Sequence, residues 1–236
     1  MRYEAIALDY DGTLAKDGKV DAATVAGLER ARAAGRRLIM VTGREIDSLY
    51  RTFDRLDLFE RVVAENGGLL YRPSDGKHTP LAHAPPPVFV ETLKARGVAP
   101  ISVGEVIVAT WEPHEVTVLR TIRDLGLERE VIFNKGAVMV LPSGVNKGTG
   151  LRACLADLGL SEAAVVGVGD AENDHSFLNL CGASAAVANA LPALKARANL
   201  VTRADHGAGV VEVIDRVLAN ELVDVLRVPQ PGEPVG

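Results

Sequence analysis

The sequence predicts an α/β protein with a mainly parallel sheet, and three observations lead to this fold class. Short apolar runs alternate with amphipathic segments along the 236 residues, which is typical of consecutive βαβ units. Acidic, glycine-containing stretches directly follow two apolar runs, at Asp9 and Asp170, as at the ligand-binding ends of strands in open sheets. A proline-rich stretch at 84–87 interrupts the pattern. A second, smaller unit is therefore expected before the alternation resumes at Lys147.

The chain before residue 84 is expected to supply the first strands and helices of this sheet. Residues 3–9 have the character of a buried strand. Residues 21–34 show helical spacing of apolar side chains, with Asp21 as the N-cap and Gly35 after the last turn. The further elements predicted here are a strand at 37–42, a helix at 45–53, a strand at 61–64, and a hairpin that pairs 69–72 with 78–81.

The segment 84–144 is expected to form a small unit that returns to the first one at Pro142. Its predicted elements are a helix at 88–96, a strand at 105–111, a helix at 114–125, and strands at 130–134 and 137–141. A sheet with two helices on one face is the simplest structure that these elements can form. Trp111 is expected in its core, with a ligand contact as the alternative.

The alternation then resumes and runs nearly to the end of the chain. The predicted elements are a helix at 147–158, a strand at 163–168, a helix from 173, a strand at 184–187, a short helix after 192, a strand at 199–202, and a last helix from 207. Residues 228–236 are rich in proline and poor in core residues, so this tail is expected to be disordered.

Composition excludes several classes of function. The net charge is −5, with 26 Lys and Arg against 31 Asp and Glu, which disfavours a nucleic-acid-binding surface. The N-terminus has no signal-peptide core, because Asp9 and Asp11 interrupt the apolar run, and no apolar stretch is long enough for a membrane span. Cys154 and Cys181 form no Cys-x-x-Cys pair. We therefore expect a cytoplasmic protein with two reduced thiols.

The strongest chemical signal is the stretch Asp-Tyr-Asp-Gly-Thr at 9–13, directly after an apolar strand. Two carboxylates crowded at the end of a central strand repel each other unless a cation lies between them. A hard cation such as Mg²⁺, with oxygen ligands, would meet that need. The alternative is an ordinary turn of the Asp-Gly kind with solvated acids.

The second signal is Gly-Asp-Ala-Glu-Asn-Asp at 169–174, which follows another predicted strand. It supplies further acids for a metal site and an amide suited to a phosphate. The alternative is a loop in which Asn173 or Asp174 caps the next helix. The glycine spacing fits neither a dinucleotide-binding loop nor a Walker A loop. Thr42-Gly43-Arg44 after the second strand, and Lys147 at a helix start, are weaker signals for groups that hold phosphate oxygens.

These stretches together resemble the four motifs of the haloacid dehalogenase superfamily, specifically its Cof-like phosphatases of subfamily IIB. The motifs occur in the family's order, as DYDGT at 9–13, VTGR at 41–44, NKG at 146–148 and GDAEND at 169–174. The resemblance implies a doubly wound Rossmann-like core at 1–83 and 145–236, with an inserted α/β cap of type C2 at 84–144. The short cap is similar to those of archaeal phosphoglycolate phosphatases and of sucrose- or mannosylglycerate-phosphate phosphatases.

The resemblance also implies a role for each motif residue. Asp9 would be the nucleophile that forms an aspartyl-phosphate, and Asp11 the general acid and base. Asp9, the backbone carbonyl of Asp11, and Asp170 would bind Mg²⁺. The residues expected to hold the phosphoryl group are Thr42, Gly43, Lys147 and Asn173, with Asp174 in support. Arg44 and Asn66 are expected as substrate contacts, although Arg44 could instead pair with Glu45 or Asp47 and the turn at Asn66 could be purely structural.

The implied function is a Mg²⁺-dependent phosphatase for a small phosphate ester, such as a sugar phosphate or phosphoglycolate. A phosphomutase similar to the phosphomannomutases would share all of these residues, so it stays open as an alternative. A remote alternative is a ligand-binding protein on the same fold, which would have no need for a nucleophile beside a proton shuttle. Exposed apolar faces on the cap could pair two chains, so a homodimer is also open.

Overall fold

The computed structural model describes residues 2–223, which form two β-sheets flanked by helices. The strands are β1 (Ala5–Leu8), β2 (Arg37–Val41), β3 (Arg61–Ala64), β4 (Leu69–Arg72), β5 (Lys77–Pro80), β6 (Ser102–Val103), β7 (Val108–Trp111), β8 (Arg129–Asn134), β9 (Ala137–Pro142), β10 (Val165–Gly169), β11 (Ala183–Ala186) and β12 (Leu200–Val201). The helices are α1 (Ala22–Ala33), α2 (Ile46–Thr52), α3 (Pro87–Ala95), α4 (Glu115–Asp124), α5 (Lys147–Leu158), α6 (His175–Leu178), α7 (Pro192–Lys195) and α8 (His206–Asn220).

The larger sheet has eight strands in the order β12-β11-β10-β1-β2-β3-β4-β5. The six strands from β12 to β3 are parallel, whereas β4 and β5 join antiparallel as a hairpin. The chain moves from β1 towards β3 in one direction and from β10 towards β12 in the other. Since crossovers between parallel strands are right-handed, α1 and α6 fall on opposite faces of the sheet. This doubly wound arrangement opens a crevice at the carboxyl ends of β1 and β10, where such sheets bind ligands.

Local signals in the sequence set the ends of the helices that border this crevice. Asp21 caps α1 by accepting a hydrogen bond from the Thr24 N–H at 2.7 Å. Asn146 caps α5, where its side chain accepts from the Gly148 and Thr149 N–H groups in a capping box. Helix α5 ends at Gly159, whose φ of 66° is the left-handed conformation that glycine adopts readily. The N-cap residue Asn146 therefore fixes where α5 begins, and with it the backbone position of Lys147.

The smaller sheet is antiparallel, in the order β6-β7-β9-β8. We call this sheet with α3 and α4 the cap, and the larger sheet with the other helices the core. The faces of the smaller sheet differ because side chains alternate along a strand. On β9, Val138 and Val140 pack in a cluster with the Phe89 and Leu93 side chains of α3. Met139 lies in a separate cluster and lines the cavity between cap and core. The cap thus has two helices on one face and turns its other face to the crevice.

Most elements agree with the sequence predictions, and the differences have local causes. The predicted strand at 105–111 begins only at Val108, because the N–H groups of 105–107 donate to the Glu65 carboxylate instead of to a strand. The short strand β6 was not predicted. The predicted strand at 163–168 begins at Val165, after a single turn of 3₁₀ helix. The predicted helix from 173 also starts as a 3₁₀ turn and ends by Leu178.

Other expectations concern single residues and the ends of the chain. Trp111 was expected in the core of the cap, but it is 53% exposed and lines the cavity, so that prediction is wrong. Cys154 and Cys181 are both free thiols. Across residues 2–223, no helix combines the length and the apolar character that crossing a membrane requires. The predicted tail at 228–236 lies outside the described residues, and the division of the chain at 84 and 144 stays a prediction.

Candidate active site

Residues from separate motifs meet at the crevice between β1 and β10. Leu8 and Val168 are register partners in these parallel strands, so Asp9 and Asp170 emerge side by side at their carboxyl ends. One oxygen each from Asp9, Asp170 and Asp174 lies within 4.8 Å of the others, and all three residues are buried. Residues that are up to 165 positions apart in the chain thus form one acidic cluster.

Lys147 neutralises one side of this cluster. Its Nζ donates to Asp9 Oδ1 at 2.5 Å and to Asp174 Oδ1 at 2.5 Å, and its side chain is only 1% exposed. The other Asp174 oxygen accepts from the backbone N–H groups of Asp170 at 2.8 Å and Ala171 at 2.9 Å. Both carboxylate oxygens of Asp174 therefore accept hydrogen bonds from within the protein. Asp174 fixes the ammonium of Lys147 and the backbone of the loop after β10.

Burial and neighbouring charge shift the pKa values of this group. Burial raises the pKa of Asp9 well above its ordinary value, and the negative charge of Asp174 adds to this effect, while Lys147 acts in the opposite direction. Burial by itself would lower the pKa of Lys147. The contacts with Asp174 and Asp9 outweigh that effect and raise the pKa of Lys147 above its ordinary value. Lys147 therefore keeps its charge, and a further cation beside Asp9 would favour the ionised carboxylate.

Asp170 occupies the opposite side of the cluster. Its Oδ1 accepts a hydrogen bond from Thr13 Oγ1 at 3.2 Å, and its Oδ2 accepts from Lys135 Nζ at 2.7 Å. Burial raises the pKa of Asp170, and Lys135 acts against that shift. Lys135 Nζ also lies 3.3 Å from the backbone carbonyl oxygen of Asp11. This carbonyl group and the Asp170 carboxylate therefore face the same point in space.

The backbone at Gly12 passes close to that point. Gly12 has a φ of +91°, which side-chain-bearing residues rarely adopt. A Cβ atom there would lie 2.4 Å from Asp170 Oδ2 and 2.4 Å from Lys135 Nζ. Asn189 holds the same turn, because its Nδ2 donates to the Gly12 carbonyl at 2.8 Å. Glycine at this position therefore leaves room for a cation between the loop and Asp170.

The Asp11 side chain points away from the acidic cluster, towards Arg44. Arg44 Nε donates to Asp11 Oδ2 at 2.6 Å, and its Nη2 donates to Oδ1 at 2.7 Å. This two-point ion pair raises the pKa of Arg44 and fixes the plane of the carboxylate. Arg44 thus pairs with Asp11 and not with Glu45 or Asp47, the partners expected in the alternative. Thr42 Oγ1 accepts from the Arg44 N–H at 3.1 Å, which joins the second motif to the same loop.

Asn66 and Asn173 contact each other below the crevice. Asn173 Nδ2 donates to Asn66 Oδ1 at 2.9 Å, and Asn66 is fully buried. Gly67 packs so closely on the start of α5 that a Cβ atom would lie 2.0 Å from the Asn146 carbonyl oxygen. The turn at 65–67 thus supports the helix that carries Lys147. This geometry favours the structural interpretation of the turn over a substrate contact of Asn66.

Glu65 links the same turn to the cap. Its Oε1 accepts from the Glu105 N–H at 2.9 Å, and its Oε2 accepts from Val106 at 2.7 Å and Ile107 at 3.0 Å. Glu65 is 2% exposed and has a φ of +51°, a conformation that costs free energy for a residue with a side chain. A single core carboxylate therefore holds the chain segment that leads into β7.

A cavity of about 650 Å³ lies between the core and the cap. Its lining includes five site residues expected from the sequence, Asp9, Asp11, Gly43, Arg44 and Lys147, and from the cap Trp111, Lys135 and Met139. Arg51 adds another cation to its wall. The Asp9 and Asp11 carboxylates thus border a cavity in which four of the lining side chains are cationic, those of Arg44, Arg51, Lys135 and Lys147.

The donor set suits a hard cation such as Mg²⁺. The Asp9 and Asp170 carboxylates and the Asp11 carbonyl supply only oxygen atoms, which are the ligands that Mg²⁺ prefers. Lys135 gives an independent indication that a cation fits here, since its ammonium makes contact with two of these three groups. The residues expected to bind Mg²⁺ therefore fit that ion in position and in chemistry.

Four residues at this site were not identified from the sequence. Thr13 lies inside the first motif, so its place beside Asp170 could have been inferred from the spacing. Glu65 precedes the Asn-Gly turn, and its left-handed conformation carries no clear sequence signal. Asn189 and Lys135 lie in segments with no motif. Their contacts depend on how distant parts of the chain pack, and local sequence gives no indication of them.

Comparisons with known proteins agree with this geometry. A family model of haloacid dehalogenase-like hydrolases matches residues 6–103 and 106–214. A phosphoglycolate phosphatase of Methanothermobacter thermautotrophicus is 32% identical over 231 residues, which cover 91% of this chain and 98% of that protein.

Two solved structures have a similar fold. A haloacid dehalogenase-like hydrolase from Bacteroides thetaiotaomicron has a TM-score of 0.78 and 19% identity, covering 91% of this chain and 99% of the other. A sugar phosphatase of subclass IIB has a TM-score of 0.73 and 20% identity, covering 90% and 98%. The resemblance carried by the four motifs is confirmed. Because the family model and the archaeal relative both match most of its length, this chain belongs to the haloacid dehalogenase-like hydrolases.

Proposed function

We propose that this chain is a Mg²⁺-dependent phosphatase that hydrolyses a small, carboxylated phosphate ester through an aspartyl-phosphate on Asp9. Its enzyme class is phosphatase, the class of its curated relatives in a family of hydrolases. The metal ion, the covalent intermediate and the substrate class are the parts that we propose.

One observation carries the proposal. Asp9 is buried, it lines the cavity, and it is held by an ammonium group that a second carboxylate keeps in place. A solvated turn of the Asp-Gly kind would have no reason to bury its first acid beside a lysine. Lys147 donates to Oδ1 of Asp9, so the other oxygen, Oδ2, is available for attack.

In the first step, Asp9 Oδ2 attacks phosphorus while the bond from phosphorus to the leaving oxygen breaks. Asp11 gives its proton to the leaving oxygen, which departs as an alcohol. Arg44 orients the ionised Asp11 carboxylate through two hydrogen bonds. For this step Asp11 is protonated, so one oxygen leaves Arg44 to face the leaving oxygen while the other keeps its hydrogen bond. Lys147 donates to Asp9, and Thr42 follows β2, the strand paired with β1; these are the two donors that we propose for the phosphoryl oxygens.

In the second step, water attacks phosphorus and Asp11 takes a proton from that water. The bond between phosphorus and Asp9 Oδ2 breaks, which restores the carboxylate and releases inorganic phosphate. Phosphoryl transfer depends mainly on position and on cancellation of developing negative charge. When bound by Asp9, Asp170 and the Asp11 carbonyl, Mg²⁺ supplies positive charge beside the phosphoryl group.

The charges around the cavity support a substrate with a second anionic group. Arg51 and Lys135 line the cavity, and so does Arg44, which pairs with Asp11. A carboxylate on the leaving group would be attracted by these cations. The Methanothermobacter relative carries the name phosphoglycolate phosphatase, and phosphoglycolate is an ester of this kind. We therefore propose phosphoglycolate-like esters as the substrate class.

The direct test is phosphate release from phosphoglycolate, a set of sugar phosphates and a generic aryl phosphate, with Mg²⁺ or with EDTA. We expect turnover only with Mg²⁺, and the highest kcat/KM for a carboxylated ester. Asp9→Asn should reduce kcat by at least ~10³-fold, because it removes the nucleophile but preserves the shape. Asp57→Asn is the matched control, since Asp57 is exposed and pairs only with surface groups.

Each other outcome has a definite meaning. Turnover that survives in Asp9→Asn would contradict the covalent mechanism. Preference for a sugar phosphate would contradict the proposed substrate class but not the phosphatase activity. If wild type released no phosphate until a bisphosphate activator was added, the mutase alternative would replace the proposal. Homodimer formation and a cytoplasmic location stay predictions, and light scattering on the purified protein would test the first.

A further inference from the structure

The hairpin of β8 and β9 places a lysine inside the active site from the cap. Lys135 and Gly136 are the two residues of its turn, and both have positive φ, at 49° and 83°. Two-residue turns of this kind favour Asn-Gly or Gly-Gly, because a side chain on the first residue costs free energy. A lysine in a strained turn suggests that its side chain has a function.

The contacts of Lys135 indicate what that function is. Its Nζ is 2.7 Å from Asp170 Oδ2 and 3.3 Å from the Asp11 carbonyl oxygen. These atoms belong to two of the three groups that would bind Mg²⁺. Magnesium binds oxygen at about 2.0–2.1 Å. A divalent ion held by these groups would therefore lie against the ammonium, and two cations cannot share that position.

We propose that Lys135 is an active-site residue that competes with Mg²⁺, so that binding of the metal must displace its ammonium from Asp170. The inference rests on the proposed function, since it takes the metal to bind at Asp9, Asp170 and the Asp11 carbonyl. The position of Lys135 makes the exchange feasible. Its side chain is 49% exposed and lines the cavity, so the ammonium can leave Asp170 for the cavity without crossing packed protein.

The competition links the cap to the metal. Lys135 is the cap residue that pairs with the Asp170 carboxylate, whereas Glu65 and Glu45 reach the cap away from the acidic cluster. When Mg²⁺ takes the place of the ammonium, the tip of the hairpin loses its ion pair with Asp170. The affinity for Mg²⁺ is consequently lower than the three oxygen groups would give alone.

Calorimetric titration of the full-length protein with Mg²⁺ alone tests this competition. Lys135→Met preserves the length of the side chain and removes its charge. We expect it to bind Mg²⁺ about 10-fold more tightly than wild type, the scale of one lost charged hydrogen bond. Lys94→Met is the matched control, because Lys94 is an exposed lysine on α3. It should bind Mg²⁺ with the wild-type Kd.

A measurement on wild type avoids dependence on the variant's folding. Brief acetylation followed by mass spectrometry reports how fast each lysine reacts. Addition of Mg²⁺ should increase the rate at Lys135 several-fold, because its ammonium loses the Asp170 partner, and should leave Lys94 unchanged.

The results separate the inference from the proposed function. Equal Kd values for Lys135→Met and Lys94→Met, or a Lys135 labelling rate that Mg²⁺ does not raise, would overturn the role of Lys135 only. If Mg²⁺ bound to none of the three proteins, the proposed metal site would be overturned, and this inference with it.

Discussion

Two lysines reach the same cluster of carboxylates from opposite sides of the active site. Lys147 extends from the first residue of α5 in the core, is 1% exposed, and lies between Asp9 and Asp174. Lys135 extends from a hairpin turn in the cap, is 49% exposed, and contacts Asp170. The first ammonium is enclosed by protein, whereas the second faces an open cavity. The charge of Lys147 is thus part of the packed interior, whereas another cation can take the place of the Lys135 ammonium.

This difference shows that the effect of a lysine charge on stability and on metal binding depends on how deeply its side chain is buried. A buried ion pair cannot be replaced by water, so loss of one partner leaves an uncompensated charge. In the Lys135–Asp170 pair the carboxylate is buried but the lysine is half-exposed, so water or an ion can take the place of the ammonium. Catalytic positioning is thus expected from Lys147, and adjustment of metal affinity from Lys135.

The largest effect is expected from Lys147→Met. Asp9 and Asp174 would remain buried without their counter-ion, and breaking such a pair costs ~3–5 kcal/mol of the free energy of unfolding. Urea denaturation would measure this loss, and phosphate release should fall to the background. Lys16→Met, at an exposed position, is the control. A loss below about 1 kcal/mol would show that Lys147 contributes no more to the free energy of unfolding than Lys135 does.

A smaller effect is expected from Glu65→Ala, which removes the core carboxylate that holds the cap. The buried N–H groups of Val106 and Ile107 would lose their acceptor, which we expect to cost ~2–3 kcal/mol. Hydrogen exchange should become faster at 105–107, while the amides of β1 keep their protection. Glu91→Ala, at an exposed site on α3, should change neither quantity. Unchanged exchange at 105–107 would mean that other contacts hold the cap.

The smallest effect on stability is expected from Lys135→Met. Because Lys135 is half-exposed, water can enter beside Asp170 when the ammonium is removed, so the free energy of unfolding should change by less than about 1 kcal/mol. Urea denaturation in EDTA would measure it beside Lys147→Met. A loss as large as that of Lys147→Met would remove the distinction between the two lysines and would indicate that the hairpin contact is needed for folding.

Much of the fold could be predicted because its signals are local. Asp21 and Gly35 mark the ends of α1, and the apolar run before Asp9 has the length and composition of a buried strand. The motif residues that follow β1, β2 and β10 could be assigned to one edge of the sheet, since parallel strands bring their carboxyl ends together. Predictions were wrong where tertiary contacts replaced local preference. Glu65 delays β7, and Trp111 faces the cavity instead of the core of the cap.

The sequence by itself determined the α/β architecture and the order of the four motifs, and it pointed to the residues for which we propose the chemistry of phosphoryl transfer. These follow from periodicity, caps and neighbouring residues, which act within one element of structure. Only the tertiary structure decided that Arg44 holds Asp11, that Glu65 holds the cap, and that Lys135 contacts Asp170. Such contacts join residues 33 to 42 positions apart, in separate elements. Their geometry depends on how sheets and loops pack, and no short stretch of sequence encodes that.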